Sequence, residues 1–252
     1  MKALSAVIIT KNEEANIRRC LESLKFADEI IVIDSHSTDQ TISIASQLGA
    51  QVFTRPWQGF GPAKQAGVDC ASGQWILSID ADEEVPHELA AEIKAMIDSS
   101  NGCSAFYLKR KTMFLGRWIL HCGWYPGYVV RLFKKNEGKF DNAIVHEKVE
   151  FQGRAGYLDC DLLHYSYPDL ESYLTKFNGY TTLGAQEAHR AGKRAGWPDL
   201  ILKPPFSFIR HYIIKQGFRD GREGFILSVL SSLAVLVKYA KLYTLQKKQS
   251  AK

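Results

Sequence analysis

The first hundred residues alternate between short apolar runs and segments in which apolar side chains recur with helical spacing. The apolar runs are rich in β-branched residues and predict buried strands at Leu4–Ile9, Glu29–Asp34, Gln51–Phe53 and Trp75–Ile79. The remaining segments predict helices at Asn12–Leu24, Asp39–Leu48, Pro62–Ala71 and Pro86–Ser99. Such alternation is typical of parallel strands joined by right-handed crossovers, so we expect an α/β fold with helices on both faces of the sheet.

The pattern changes after residue 102. Short apolar runs separated by turn residues predict further strands at 106–108, 128–133 and 155–158, and the chain becomes helical after Pro168. We therefore expect one domain over residues 1–168 with a mixed sheet, divided into a Rossmann-like half (1–100) and a β-rich half (101–168). Residues 169–252 are expected to form a helical C-terminal extension.

The charge of the chain is concentrated at its C-terminal end. The 252 residues carry a net charge of +5, but from Lys203 onward there are ten basic and two acidic residues, a net charge of +8, which leaves −3 for the rest. A cationic tail on a near-neutral body predicts an anionic surface as partner. The five cysteines are scattered and contain no C-x-x-C pair, which indicates reduced thiols in a cytoplasmic protein.

Hydrophobic residues accompany the basic ones in this tail. Phe206, Ile209, Tyr212 and Ile213 fall on one helical face, and the uncharged run Phe225–Val237 follows. That run is shorter than the roughly 20 apolar residues that cross a bilayer. We expect a pair of cationic helices lying in a membrane interface, with a packed helical hairpin or a dimer contact as the alternative.

Polar clusters follow three of the predicted strands, where ligands of α/β sheets bind. They are Thr10–Glu13, Asp34–Asp39 and Asp80–Glu84. In the last cluster, Asp80 and Asp82 form a D-x-D sequence, in which two carboxylates can share a hard cation with substrate phosphates. The alternative is a solvated turn that starts a helix at Pro86.

The first two clusters can hold a nucleotide. A carboxylate at Asp34 can accept a hydrogen bond from the N3–H of a uracil ring. Thr10, Asn12 and Glu13 are candidates for the ribose and base, although Glu13 could instead pair with the dipole of the first helical turn. Asp39 is expected to have a structural role as a helix N-cap.

Four motifs in this order resemble family 2 glycosyltransferases over residues 4 to about 90: I-I-T-K-N-E-E, I-V-I-D-S-H-S-T-D-Q-T, G-P-A-K-Q-A-G and S-I-D-A-D-E-E. The resemblance implies a GT-A fold, a nucleotide-sugar donor bound by residues 1–100, Mg²⁺ or Mn²⁺ at Asp80 and Asp82, and inversion at the anomeric carbon. It also implies that Lys64 approaches the diphosphate, where the alternative is a solvent-facing lysine. His36 stands where the family usually has glycine, in a turn that needs a positive φ.

Inversion requires a base that removes the proton of the acceptor hydroxyl. Glu147 is the candidate, because V-H-E resembles an element of bacterial lipopolysaccharide-core transferases. His146 could orient Glu147 or act as the base itself. Asp141 is a competitor, and Glu147 could also be only a charge on an edge strand.

Aromatic and basic residues in the second half are candidates for acceptor binding. Trp124 and Tyr125 can pack against a sugar ring, and Arg131, on an otherwise apolar strand, needs a partner that a phosphate would supply. Trp118 can be core material. His164 is a candidate third metal ligand, although a lone histidine after an apolar pair is more often a core residue.

Residues 100–243 resemble the β-glucosyltransferases that extend the inner core of lipopolysaccharide. The resemblance implies transfer of a hexose, glucose, from a UDP-linked donor to a lipid-linked glycan acceptor on the inner face of a bacterial inner membrane. A polyprenyl-phosphate glycosyltransferase is the alternative within this class. A non-catalytic nucleotide-binding module is the alternative outside it. The sequence contains no RNA- or DNA-binding motif, so we expect no nucleic-acid partner.

Overall fold

A computed structural model describes residues 3–99, 102–142 and 147–250 of the chain. They fold into two compact units, of which the first holds residues 1–110 and 127–164 and the second 111–126 and 165–252. The predicted boundary lay after residue 168. The second unit instead begins at residue 165 and also includes the segment 111–126. There Phe114, Ile119 and Cys122 pack against side chains of the helical extension.

The first unit contains the alternating strands and helices that the hydrophobic pattern predicts. In chain order the elements are β1 (Leu4–Thr10), α1 (Ile17–Ser23), β2 (Glu29–Asp34), α2 (Thr41–Gln47), β3 (Gln51–Thr54), α3 (Phe60–Cys70), β4 (Trp75–Asp80), β5 (Glu83–Glu84), α4 (His87–Asp98), β6 (Cys103–Phe114), β7 (Arg117–Ile119), β8 (Gly127–Lys134), β9 (Gly138–Phe140), β10 (Val149–Phe151) and β11 (Arg154–Tyr167). Strands β6 and β11 belong to this unit as far as Arg110 and His164, and β7 lies in the second unit.

The main sheet is mixed. Its strand order is β3-β2-β1-β4-β8-β6-β11-β5, and β7 pairs with the end of β6. Strands β3, β2, β1 and β4 are parallel, whereas β8 runs antiparallel to both β4 and β6. Strands β9 and β10 form a separate antiparallel pair. The predicted α/β class with a mixed sheet is confirmed.

Two hydrophobic cores lie on opposite faces of the parallel strands. In β1, Ala6 and Ile8 belong to one core and Val7 and Ile9 to the other, because successive side chains of a strand point to opposite faces. Helices α1, α2 and α4 contribute to the first core and α3 to the second. Burial on both faces explains why these strands are continuous apolar runs in the sequence.

The second unit is mainly helical. Its elements after β11 are α5 (Leu170–Arg190), α6 (Trp197–Ile201), α7 (Lys203–Ile209), a π-helical turn (Arg210–Ile214), a 3₁₀ turn (Gly217–Asp220) and α8 (Gly221–Ser250). Leu227 of α8 is buried with Tyr173 of α5, and Leu242 with Ala185 and Ala188. Helix α8 is therefore packed against α5 near both of its ends.

The apolar part of this extension is longer than the sequence predicts. Among the described residues, one helical span, Gly217–Lys248, is long and apolar enough to cross a membrane, with a mean hydropathy of 1.7. The sequence argument counted only the uncharged run Phe225–Val237, whereas the helix continues through Lys238 and Lys241. Length and composition alone do not distinguish a membrane span from a helix that lies on a membrane or packs in a soluble unit.

The close packing of α3 on the sheet gives a stability prediction. A Cβ atom at Gly67 would lie 2.3 Å from Cγ1 of Val7 and 3.2 Å from Cγ1 of Ile33. Val7 is a stiff β-branched residue in a central strand, so we expect Gly67→Ala to lower the free energy of unfolding by about 1–3 kcal/mol. The midpoint of urea unfolding measures this change.

Gly179, in α5, is the matched control. No heavy atom lies within 4 Å of a Cβ built there. Alanine has the higher helix propensity, so Gly179→Ala should raise the free energy of unfolding by roughly 0.5–1 kcal/mol. Equal effects of the two substitutions would contradict the packing described for Gly67.

Candidate active site

Three of the predicted site residues meet at the carboxyl ends of adjacent strands. Thr10 of β1 is in register with Asp34 of β2, and Ile9, its neighbour, is in register with Asp80 of β4. Neighbouring strands lie about 4.8 Å apart, so the backbone positions of these residues form one row at the edge of the sheet, with the side chains of Thr10 and Asp34 on one face and that of Asp80 on the other. The three residues thus lie at the carboxyl ends of adjacent strands, and their joint role in binding a ligand stays a prediction.

The loop after β2 is organised around the carboxylate of Asp34. This side chain is fully buried and accepts hydrogen bonds from the amide (2.8 Å) and the hydroxyl (2.5 Å) of Ser37. The Asn12 amide donates to the Ser37 hydroxyl (2.8 Å), and the Asn12 side chain accepts from the amide of Thr38 (2.8 Å). Residue His36 has a φ of 57°, the left-handed conformation expected at this turn.

Glu13 and Asp39 form hydrogen bonds with residues at the starts of α1 and α2. The amide of Glu13 donates to the Thr41 hydroxyl (2.8 Å), and its carboxylate accepts from Asn16 (2.8 Å). Helix α1 begins only at Ile17, so Glu13 is outside its first turn and the dipole alternative is wrong. The N-cap residue of α2 is Gln40, so the predicted N-cap role of Asp39 is wrong, although the Asp39 carboxylate accepts from the amide of Thr41, the first residue of α2 (3.0 Å).

The hydroxyl of Thr10 is buried in this row, and among the described residues it has no hydrogen-bond partner. A buried hydroxyl without a partner costs about 1–3 kcal/mol, and most such groups in proteins are satisfied. A polar ligand group at the edge of the sheet would provide the partner.

A cluster of buried charges surrounds Asp80. The Arg131 guanidinium forms a short ion pair with the Asp80 carboxylate, and its Nη2 lies 2.7 Å from Oε1 of Glu83. Glu83 is fully buried, accepts the Asp80 amide through Oε2 (2.9 Å), and has Nη1 of Arg110 3.7 Å from Oε1. Four charged side chains thus compensate one another at the end of β4.

These contacts stabilise the ionised forms of Asp80 and Arg131. Burial by itself would raise the pKa of Asp80, but the charges of Arg131 and Lys64 outweigh it and keep that pKa well below its usual value. Burial would also lower the pKa of Arg131, and the carboxylates of Asp80 and Glu83 raise it instead. The carboxylate and the guanidinium are therefore both ionised at neutral pH.

Lys64 connects this cluster to Glu147. Its Nζ lies 2.9 Å from Oδ1 of Asp80 and 2.6 Å from Oε1 of Glu147, and the lysine side chain is only 2% exposed. The alternative of a solvent-facing lysine is therefore wrong. His146 lies outside the described residues, and Asp141 is held through its amide, which donates to the Lys148 carbonyl (3.0 Å).

Asp82 lies beside His164. Strand β5 pairs with β11 so that Glu83 is opposite His164, and Nε2 of His164 lies 3.3 Å from Oδ2 of Asp82. A carboxylate and an imidazole suit a divalent cation, but Asp80 is engaged by Arg131 and Lys64. Within the described ranges, no group of three or more His, Cys, Asp or Glu side chains is placed to hold a metal ion. These residues fit a cation that takes most of its coordination shell from phosphate oxygens and water.

The acceptor candidates are divided between the two units. Arg131, in the first, has Asp80 and Glu83 as charge partners, which corrects the argument that it needs a phosphate. Trp124 and Tyr125 belong to the second unit, where the Trp124 ring packs against Phe114 at a centroid distance of 6.1 Å. Their sugar-binding role stays a prediction.

Glu83 and Arg110 are site residues that the sequence analysis missed. Glu83 follows the D-x-D sequence and reads as part of a solvated acidic turn, yet it is among the most buried carboxylates of the chain. The available signal was Arg131, because a basic residue on an apolar strand requires an acidic partner on a neighbouring element.

Comparison with known proteins gives consistent matches. The family model described as Glycosyl transferase family 2 matches residues 5–146. An uncharacterized glycosyltransferase of Rickettsia prowazekii (strain Madrid E) is 33% identical over 98% of this chain and 89% of its own length. A lipopolysaccharide core biosynthesis glycosyltransferase of Rhizobium meliloti (strain 1021) is 31% identical over 95% of this chain and 92% of its own length.

One solved structure with partial similarity is glucosyl-3-phosphoglycerate synthase from Mycobacterium tuberculosis, crystallised with Mn²⁺, UDP and glucosyl-3-phosphoglycerate. It is 24% identical to this chain, with a TM-score of 0.41, and the match covers 54% of this chain and 57% of that one. The two relatives above, by contrast, match nearly the whole sequence, including the helical extension.

The charge cluster gives a second stability prediction. Arg131→Met should lower the free energy of unfolding by about 3–5 kcal/mol, because Glu83 and Asp80 would keep buried charges without the guanidinium. Adding Glu83→Gln to this variant should restore part of the loss, since one uncompensated charge is then removed. Thermal unfolding of the single and double variants measures both effects.

Lys139→Met is the matched control for this experiment. Lys139 pairs with Glu150 at 3.7 Å, but their side chains are 70% and 61% exposed. Exposed pairs contribute at most about 1 kcal/mol, so the melting temperature should change little. If Arg131→Met were as mild as this control, the buried cluster would not stabilise the fold.

Proposed function

The chain belongs to glycosyl transferase family 2 and is a glycosyltransferase, and we propose that it transfers glucose from a UDP-linked donor to a lipid-linked acceptor with inversion of configuration. The observation that carries this proposal is the row of Asp34, Thr10 and Asp80, with its buried and unpartnered Thr10 hydroxyl, beside the charged cluster of Lys64. A non-catalytic nucleotide-binding module does not agree with this family membership.

The donor nucleotide binds along the row of strand ends. Asp34 accepts the N3–H of uracil, because each carboxylate oxygen has a second lone pair beyond the one used by Ser37. The Thr10 hydroxyl gains a partner from the nucleotide. Asn12 and Glu13, held by hydrogen bonds to the loop after β2, shape the cleft for the ribose and base.

Lys64 contacts the donor diphosphate, and this contact activates Glu147. With Nζ at 2.6 Å from Oε1, the Glu147 carboxylate is occupied by the lysine ammonium. When the diphosphate attracts Lys64, Glu147 is released to accept the proton of the attacking hydroxyl. His146 stays a candidate to orient it.

Asp82 and Asp80 would hold a divalent cation, Mg²⁺ or Mn²⁺, with His164 close to Asp82. When bound, such a cation neutralises the charge of the diphosphate leaving group. Asp80 has a second role in fixing Lys64 and Arg131, so its loss would disturb the fold as well as the site.

The acceptor is a lipid-linked glycan, and the inner core of lipopolysaccharide is the favoured one. Support comes from the Rhizobium meliloti relative, whose name assigns it to lipopolysaccharide core biosynthesis. Trp124 and Tyr125 are the proposed acceptor-binding aromatics. Such an acceptor places the enzyme in the cytoplasm, peripheral on the inner face of the inner membrane.

A polyprenyl phosphate is the second candidate acceptor. The shortness of the uncharged run Phe225–Val237 disfavours such an acceptor, but the apolar helical span Gly217–Lys248 removes part of that argument. Transfer assays with a lipopolysaccharide core acceptor and with a polyprenyl phosphate distinguish the two candidates.

The proposed function predicts metal-dependent transfer. With UDP-glucose, limiting Mn²⁺ and the core acceptor, the protein should release UDP and form a β-glucoside, seen by NMR of the anomeric proton. Asp82→Asn should lose most of this turnover while its melting temperature stays close to that of the wild type, because one cation ligand becomes neutral.

The exposed Asp98, at the end of α4, provides the control for this variant. Asp98→Asn should keep full turnover. If Asp82→Asn kept near wild-type turnover under limiting Mn²⁺, Asp82 would not be a ligand of the catalytic cation.

The proposed base gives a separate prediction. Glu147→Gln should slow transfer by about 10²–10⁴-fold, because the amide cannot take the acceptor proton. Donor affinity should not fall, because the neutral amide competes with the diphosphate for Lys64 no more strongly than the carboxylate does. Single-turnover transfer and titration of donor binding measure the two quantities separately.

Asp141→Asn is the matched variant on the same segment of chain. It should leave transfer unchanged if Glu147 is the base. The opposite result, slow transfer in Asp141→Asn and normal transfer in Glu147→Gln, would make Asp141 the base that accepts the proton.

A further inference from the structure

Helix α7, which lies between α6 and α8, buries small and polar residues and exposes apolar ones. Where α7 packs on α8, its buried residues are Pro204 and Ser207. The Ser207 hydroxyl lies 3.5 Å from the Ser231 carbonyl, and the Ser232 hydroxyl donates to the Pro204 carbonyl (2.8 Å). The contact of α7 with α8 is therefore partly polar.

The opposite side of this segment is apolar and exposed. Leu202, Phe206, Ile209 and Ile213 recur at spacings of four, three and four residues, and their exposed fractions are 66%, 60%, 47% and 53%. We call these four residues the docking face. A helix in a soluble unit normally buries its apolar stripe, so an exposed stripe of this size indicates a missing partner.

Further apolar side chains adjoin the docking face. Ile214, Phe218 and Phe225 are about half exposed, and the rings of Phe218 and Phe225 both pack edge-on against Tyr212 of the π-helical turn. The exposed apolar surface thus continues from α7 across the turn to the first residues of α8. Singly scattered surface hydrophobics would not form such a continuous area.

The charges of the segment 200–222 identify the partner. Arg210, Lys215, Arg219 and Arg222 are exposed. The single acidic residue of the segment, Asp220, is buried and accepts the amide of His121 (2.8 Å). Exposed cations beside exposed apolar and aromatic side chains match an anionic lipid surface, where the cations meet headgroups and the apolar side chains enter the interface.

A second copy of this chain is a poorer match for the same surface. A symmetric contact through the docking face would bring Arg210 and Arg219 close to the same residues of the other copy. Like charges across an interface are unfavourable, and the segment offers no exposed carboxylate to compensate them.

We propose that the docking face, together with Phe218 and the exposed cations of the turn, binds an anionic membrane surface. Helix α8 supports this surface from behind. Its residue Leu227 is fully buried, and its Lys241 ammonium donates to the Asn178 carbonyl (2.9 Å) and the Thr182 hydroxyl (2.7 Å) of α5. Through these contacts α8 packs on α5, and the exposed stripe of α7 with the turn that follows it is the surface that we assign to the lipid.

This assignment changes the residues expected at the membrane. Both the stripe of Phe206, Ile209 and Ile213 and the apolar run of α8 were expected there, but in α8 Leu227 is buried and Ile226 and Leu230 pack against the core of the second unit. The inference extends the peripheral location given above. It rests on that part of the proposed function and not on the identity of the donor or the chemistry of transfer.

The test is co-sedimentation of the full-length protein with vesicles of phosphatidylcholine containing 30–40% phosphatidylglycerol, about the anionic content of a bacterial membrane. The double variant Phe206→Glu/Ile213→Glu should bind at least about tenfold more weakly than the wild type, because two charges replace inserted apolar side chains. Arg219→Gln/Arg222→Gln should weaken binding at low salt, by roughly fivefold for each cation, and much less at high salt.

Tyr157→Glu is the matched control. Tyr157 lies in the first unit and is 61% exposed, close to the 60% of Phe206. It should bind vesicles like the wild type. Circular dichroism and donor hydrolysis without vesicles should be unchanged in the Phe206→Glu/Ile213→Glu variant, which shows that it is folded and that loss of docking is separate from loss of catalysis.

Two results would overturn the proposal. One is wild-type vesicle binding by the Phe206→Glu/Ile213→Glu variant. The other is binding of the wild type that resists carbonate extraction, since that result would make α8 a membrane span. Vesicle binding by a protein that never turns over a nucleotide sugar would overturn the proposed function and leave the docking face in place.

Discussion

Two carboxylates and a guanidinium meet at the end of β4, where Glu83 and Arg131 are buried and Asp80 is partly buried, and their mutual compensation constrains how the sheet around them is built. Each such charge would cost several kcal/mol in the interior without a partner. Arg131 reaches Asp80 because β8 runs antiparallel to β4, and Glu83 is fixed because β5 returns to pair with β11. The antiparallel half of the sheet thus supplies the charges that the parallel half requires.

The same arrangement explains which parts of the structure could be predicted from sequence. The parallel strands were predicted nearly to the residue, because strands buried on both faces are continuous apolar runs. Helix α1 was predicted from Asn12, but it begins at Ile17, since Asn12 has a φ of 54° and bonds to the loop after β2. Tertiary hydrogen bonds of this kind override local periodicity and leave no trace in it.

The site shows a similar limit. Asp34, Thr10 and Asp80 were predictable because each ends an apolar run, and the ends of parallel strands share one edge. The partners of Arg131 were not, because its contact with Glu83 spans 48 residues of sequence and depends on strand order. In the tail the apolar stripe was visible, yet only the packing of α7 on α8 shows that the stripe faces outward.

The position of Lys64 links donor binding to proton removal in the proposed reaction. Between Asp80 and Glu147, its ammonium has two carboxylates within 3 Å and is almost inaccessible to solvent. A diphosphate that binds nearby competes for this ammonium. Only an anion of comparable charge can replace the ion pair that Lys64 makes with Glu147. In the proposed reaction, Glu147 is therefore free to accept a proton when the donor is present and is engaged by the ammonium again when the nucleotide leaves. An enzyme built in this way has little tendency to activate an acceptor hydroxyl, or water, in the absence of a donor.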